Sequence, residues 1–149
     1  MSHTLILSIG NLLRHDDGVG PIVLKLLSEY PKPNVDYANG GTDGLALIDL
    51  ISSYKKVTII DAVNMQMPPG TIKRFKPKDA KIHVKSDVLS THGFGLVEVL
   101  DLLVQLGVET EIDIIGIQPK DISLGEGLSD CIRDCLNDVI TLVAVSAQS

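Results

Sequence analysis

The sequence has no tryptophan, and aromatic residues make up only 3% of its 149 residues. Hydrophobic residues nevertheless reach 44%, so a core must be aliphatic. That composition suits the buried strands of a parallel sheet better than an aromatic-rich sandwich, and it excludes a disordered chain. There are only two cysteines, which excludes a disulfide framework and a four-cysteine zinc site. Cys131 and Cys135 are spaced i,i+4, on one face of an expected helix, and read as buried thiols of a reducing compartment. No run approaches the roughly 18 apolar residues of a membrane span. The run from Leu5 to Ile9 is too short, and lacks the basic flank, for a secretory leader. A cytoplasmic protein with no membrane partner is the expectation.

Positive charge is also scarce. Lys and Arg number 13 against 19 Asp and Glu, for a net charge of -6, which disfavours nucleic acid as a partner. Lys73, Arg74, Lys76, Lys78, Lys81 and Lys85 gather in one stretch, either a solvated loop or a docking surface for an acidic partner. The length fits one domain over residues 1–149.

What is present is alternation. Thr4–Ile9 reads as a buried strand closed by Gly10-Asn11. Val19, Ile22, Val23, Leu26, Leu27 and Tyr30 then follow a helical face, which Asp16 or Asp17 can cap and Pro31 and Pro33 end. Val35–Ala38 is a second strand, followed by the Gly40-Gly41 turn and a helix that Thr42 or Asp43 can cap. Val57–Ala62 is a continuous apolar run, as expected of a central strand covered on both faces. Thr71–Phe75 alternates like an edge strand. Residues 76–90 read as a long polar loop. A helix is expected from about His92 to Gly107, a strand over Glu111–Ile117, and a closing helix from Leu128 to about Val145 with Ser129 as its cap. This order implies an α/β fold with a mostly parallel sheet and helices on both faces.

In such sheets, sites form beyond the carboxyl ends of the strands. Asp16 and Asp17 follow the first strand, and Asn39 and Thr42 the second. Asp61 ends the third, with Asn64 beyond it, and Gln118 follows the last. His92 joins them if the long loop brings its helix start to the same edge. Two carboxylates and an imidazole form an O/O/N set suited to zinc or nickel, with open positions for water or substrate. Each residue also has an ordinary structural alternative. Asp17 can be a helix cap, Asp16 a cap or solvated neighbour, Asp61 a structural hydrogen-bonding group, and His92 a cap or surface side chain. There is no GxxxxGK[ST] loop, HExxH helix or GxSxG elbow. Gly18-Val19-Gly20 is followed by Val23 where a dinucleotide fingerprint has glycine.

Five motifs in order carry a resemblance. They are Gly10-Asn11-Leu12-Leu13 with Asp16-Asp17-Gly18-Val19-Gly20; Gly40-Gly41-Thr42; Ile60-Asp61-Ala62 with Pro69-Gly70; Ser90-Thr91-His92; and Gly116-Ile117-Gln118-Pro119. Together they resemble the hydrogenase maturation endopeptidase family over nearly the whole chain. The resemblance implies a three-layer α/β/α sandwich around a twisted, mostly parallel sheet of about five strands, and one antiparallel edge strand is expected in it. It also implies removal of a C-terminal peptide from a nickel-loaded [NiFe] hydrogenase large-subunit precursor. On the matching positions, Asp17, Asp61 and His92 are the expected metal contacts, and the nickel is supplied by the bound substrate. Asp17 or Asp61 is expected to orient the attacking water. Asn39, Gly40, Gly41, Thr42 and Gln118 are expected to meet the substrate. Several members carry Asp where this chain has Asn39, which cannot serve as a charged base. Two other functions are compatible with the residues: a maturation chaperone that binds the nickel site without cutting, and a nucleotide- or phosphate-binding α/β module. The adjacent Asp16-Asp17 pair opposes the last by repelling phosphate.

Overall fold

The computed structural model describes residues 3–41, 44–85 and 95–148. Among them five strands form one sheet: β1 (Thr4–Ser8), β2 (Val35–Asn39), β3 (Lys56–Ala62), β4 (Ile72–Phe75) and β5 (Glu111–Ile117). Their order is β2-β1-β3-β5-β4. Every pairing is parallel except that of β4 with β5, so the expected mostly parallel sheet has an antiparallel edge strand.

The helices are α1 (Val19–Ser28), α2 (Gly44–Ser52), α3 (Ala80–His83), α4 (Leu96–Gln105) and α5 (Asp130–Gln148). Strand alternation sorts them into layers. Ile6, Ile60, Ile115 and Ile117 pack with Val19, Val23, Ile132, Val139 and Val143, which sets α1 and α5 on one face. Leu5, Leu7, Val57, Ile59, Ile112 and Ile114 pack with Leu47, Ile51, Val99, Leu100 and Leu103, which sets α2 and α4 on the other. β3 lies at the centre, fully covered, as its unbroken β-branched run requires. None of the described helices is long and apolar enough to cross a membrane.

Some local expectations change. The stretch 76–90 is not all irregular: a 3-10 turn at Pro77–Asp79 leads into α3. Pro77 starts this turn because its fixed φ suits a first helical position. Helix α1 stops at Ser28, and Tyr30 beyond it is 78% exposed rather than inward. Cys135 is buried, but Cys131 is only half-buried. Burial pushes the Cys135 thiol up, aided by the neighbouring Cys131. Thr42, Asp43 and the expected start of α4 at His92 lie outside the described residues.

The basic stretch is neither wholly solvated nor a uniform docking surface. Arg74 donates twice to the buried Asp113 carboxylate, at 3.0 and 2.6 Å. Lys76 reaches its other oxygen at 2.5 Å, and Ser146 of α5 donates at 2.6 Å. Lys76 also lies 3.5 Å from Glu111. Burial raises the Asp113 pKa, but these partners, Lys76 foremost, outweigh it and hold the group at about 2. A group depressed in the folded state stabilises above its unfolded pKa, and that contribution is lost as pH falls through the folded value. From an ordinary value of 3.8 to about 2, the loss is about 2 kcal/mol and falls between pH 4 and pH 2. Urea unfolding across that window is expected to show the drop in the wild type and a flatter profile in Asp113→Asn.

Candidate functional site

The carboxyl ends of the parallel strands are stitched into one edge. Gly40 N–H donates to the Ser8 carbonyl at 2.8 Å, and Ile9 N–H to Ile60 at 3.0 Å. Gly10 N–H reaches Gly41 at 3.2 Å, and Val63 N–H reaches Ile117 at 2.9 Å. The residues leaving β1, β2, β3 and β5 therefore begin side by side, as the topology predicts.

Asp61 is the penultimate residue of β3, in register with Gly116, and 2% exposed. Period-two alternation puts it on the α2/α4 side, with Ile59. Asp17 arrives from another segment. After β1 the chain makes a 3-10 turn, His15–Gly18, that packs against β3. Two glycines permit this approach. At Gly10, with φ of +145°, a side chain would run into the Asp17 carbonyl. At Gly20, a Cβ would lie 2.7 Å from the Ile60 carbonyl and 2.8 Å from that of Ile9. Helix α1 thus begins directly over the ends of β1 and β3, one residue short of Asp61. Asp17 is 5% exposed, and its Oδ2 accepts the Asn11 N–H at 2.9 Å. Two carboxylates from different segments are placed at one edge.

The neighbouring acid has a different task. Asp16 is fully buried. Its carboxylate accepts Ser129 N–H at 2.7 Å, Ser129 Oγ at 2.8 Å, and the N–H groups of Lys120 and Asp121 at 2.9 Å each. Burial raises its pKa, but these bonds, Ser129 N–H first, outweigh it and hold the carboxyl below its ordinary range. Asp16 is therefore neither a solvated neighbour nor a helix cap. Gly18 is the α1 cap, without a side-chain bond, so Asp17 does not cap α1 either. Ser129, expected to cap α5, directs its hydroxyl to Asp16. Its carbonyl accepts the Ile132 and Arg133 N–H groups, both at 3.0 Å. This buried carboxylate is one of the ties between the loop after β1 and the loop after β5. Only the family resemblance singles out Asp17; local pattern does not separate the two adjacent acids, because the donors to Asp16 lie more than a hundred residues away.

Gln118 is at the expected edge, 8% exposed. Its Oε1 accepts Met65 N–H at 2.6 Å and Met67 N–H at 3.3 Å, and its Nε2 donates to Asn64 at 3.3 Å. It shapes the loop after β3. Asn39 is exposed, and its Oδ1 accepts Gly41 N–H at 2.9 Å and Ser8 Oγ at 3.2 Å. Gly40 is pressed against Leu47, and Gly41 has φ of +61°. Thr42 and His92 lie outside the described residues. Among the described residues, no group of three or more His, Cys, Asp and Glu could hold a metal ion. Asp17 and Asp61 contribute two hard oxygen donors to the edge, and the expected third ligand is His92.

The hydrogenase maturation protease family model matches residues 21–146. The hydrogenase expression/formation protein HupD of Thiocapsa roseopersicina is 32% identical over 142 residues, covering 93% of this chain. The chain spans 64% of the length of that relative. The crystal structure of a [NiFe] hydrogenase maturation protease from Thermococcus kodakarensis shares 26% identity and a TM-score of 0.76, over 99% of this chain and 94% of that one. The hydrogenase maturating endopeptidase HybD of E. coli, at 23% identity and a TM-score of 0.83, has the same fold over 98% of this chain and 92% of that one. The chain belongs to the hydrogenase maturation protease family.

Proposed function

We propose that this protein is an endopeptidase that removes the C-terminal extension of a [NiFe] hydrogenase large-subunit precursor after nickel insertion. The observation that carries it is the placement of Asp17 and Asp61 at one sheet edge, in a chain of this family. Nickel belongs to the substrate in this proposal. Asp17, Asp61 and His92 complete the coordination of the ion that the precursor presents. Docking through the metal sets the scissile bond beside the carboxylates, which supplies much of the catalysis as orientation. One carboxylate then orients the attacking water. Asn39 sits where a neutral amide can hydrogen-bond substrate but cannot take a proton.

Asn39 also supports a second reading, a chaperone that binds the nickel site without cutting. Mass spectrometry of the nickel-loaded precursor, incubated with the purified protein, separates them. A shortened large subunit supports the peptidase, and a stable complex of full-length precursor supports the chaperone. For a phosphate-binding module, the acidic turn stands where the phosphate would lie, at the start of α1.

A further inference from the structure

Three leucines next to the proposed site are exposed: Leu12 at 51%, Leu13 at 57% and Leu124 at 76%. They sit on the two loops that Asp16 joins. Arg14 and Gly125 form a parallel bridge, and Gly125 N–H donates to the Leu13 carbonyl at 2.9 Å. Leu13 and Leu124 therefore lie on adjoining stretches of the two loops, one residue before the bridge on each. Arg14 Nε bonds the Ile122 carbonyl at 3.2 Å, a second brace between the loops. Leu12 packs against Gly18, where an added Cβ would meet its Cδ2 at 3.2 Å. Asn11 ties the group to Asp17. Its N–H donates to the Asp17 carboxylate, and its own Oδ1 accepts Leu13 N–H at 2.9 Å.

Exposed apolar side chains are ordinary when scattered, and mark interaction surfaces when contiguous. Here they stand on heavily cross-braced loops, so their positions are fixed before any partner arrives, which lowers the ordering cost of binding. They also border the turn that carries Asp17. A macromolecule that presents a metal to Asp17 approaches beside them.

We infer that Leu12, Leu13 and Leu124 form the docking platform for an apolar surface of the large-subunit precursor adjoining its nickel site. The inference rests on the proposed function and adds the contact that selects the substrate. The platform acts in binding and takes no part in bond cleavage. Its loss therefore raises KM and leaves the reacting groups in place.

The test uses Leu13→Ser, Leu124→Ser and the double variant with the purified nickel-loaded precursor. KM and kcat are measured for cleavage, the precursor dissociation constant by calorimetry, and self-association by sedimentation. The double variant is expected to raise KM and the dissociation constant about ten-fold, with kcat within about two-fold, since kcat reports interactions made only in the transition state. An unchanged KM in folded variants overturns the platform while leaving the peptidase reading intact. Loss of a wild-type dimer with unchanged KM assigns the leucines to a second copy, and also overturns it. Binding that depends on the leucines, without cleavage by the wild type, supports the platform and sinks the peptidase reading instead.

Discussion

Asp61→Asn is expected to lower precursor cleavage by roughly 10²–10⁴-fold, the range for losing a group that positions or deprotonates a nucleophile. The substitution keeps the size of the side chain and its capacity to hydrogen-bond at a position 2% exposed. The fold is therefore expected to survive, with the thermal midpoint moving by no more than a few degrees. Charge is what changes. An amide is a poorer ligand for a nickel ion than a carboxylate and cannot accept the proton of water. Asp17→Asn is expected to act in the same direction. The double variant is expected to lose little more than either single one, because groups acting as a unit are not additive. Cleavage within about ten-fold of the wild type in both single variants would remove these carboxylates from the mechanism.

Asp16→Ala is expected to give the largest loss of stability, about 3–5 kcal/mol, because it leaves several buried donors without their acceptor. Four hydrogen bonds end on this carboxylate: from Lys120 N–H, Asp121 N–H, Ser129 N–H and Ser129 Oγ. For a domain of this size the loss corresponds to a fall in thermal midpoint on the order of 10 °C, a large share of the total stability of an ordinary domain. Asp16→Asn retains one acceptor but turns an amide N–H toward backbone donors, so an intermediate loss is expected. Acid acts the same way. The carboxyl is held below its ordinary range, so its contribution is present above the unfolded pKa and is lost as pH falls below about 4. Calorimetry of the wild type and the variants at pH 7 and near pH 2 checks both statements, the gap between wild type and Asp16→Ala narrowing in acid. The two adjacent acids are thus expected to fail differently: Asp16 variants lose stability and then activity, whereas Asp17 variants lose activity in a folded protein.

The sheet is legible in the sequence because its signals are local. The apolar β-branched run from Val57 to Ala62 can only be a covered strand. Glu111–Ile117 matches its expected limits, and Thr71–Phe75 reads as an edge strand that is one residue shorter in the structure. Parallel topology then places Asp17, Asn39, Asp61 and Gln118 at one edge without further information. The functions of individual polar groups at that edge are less legible, because they depend on partners far along the chain. Asp16 and Asp17 look alike in local pattern and are separated only by the family resemblance, yet one faces Ser129 and the other Asn11. Gln118 is expected to meet the substrate, and its amide oxygen also accepts the Met65 and Met67 N–H groups, a structural role that no local pattern announces. Helix α3 escapes detection because four residues, Ala80–His83, are too few to show a helical period.

The most direct test of the account is to offer the purified protein two forms of the large-subunit precursor, nickel-loaded and nickel-free, at equal concentration. Cleavage is expected in the loaded form alone, with the selectivity lost in Asp17→Asn and Asp61→Asn as their activity falls. Equal cleavage of both forms by the wild-type protein would contradict the proposal that its carboxylates read the metal in the substrate.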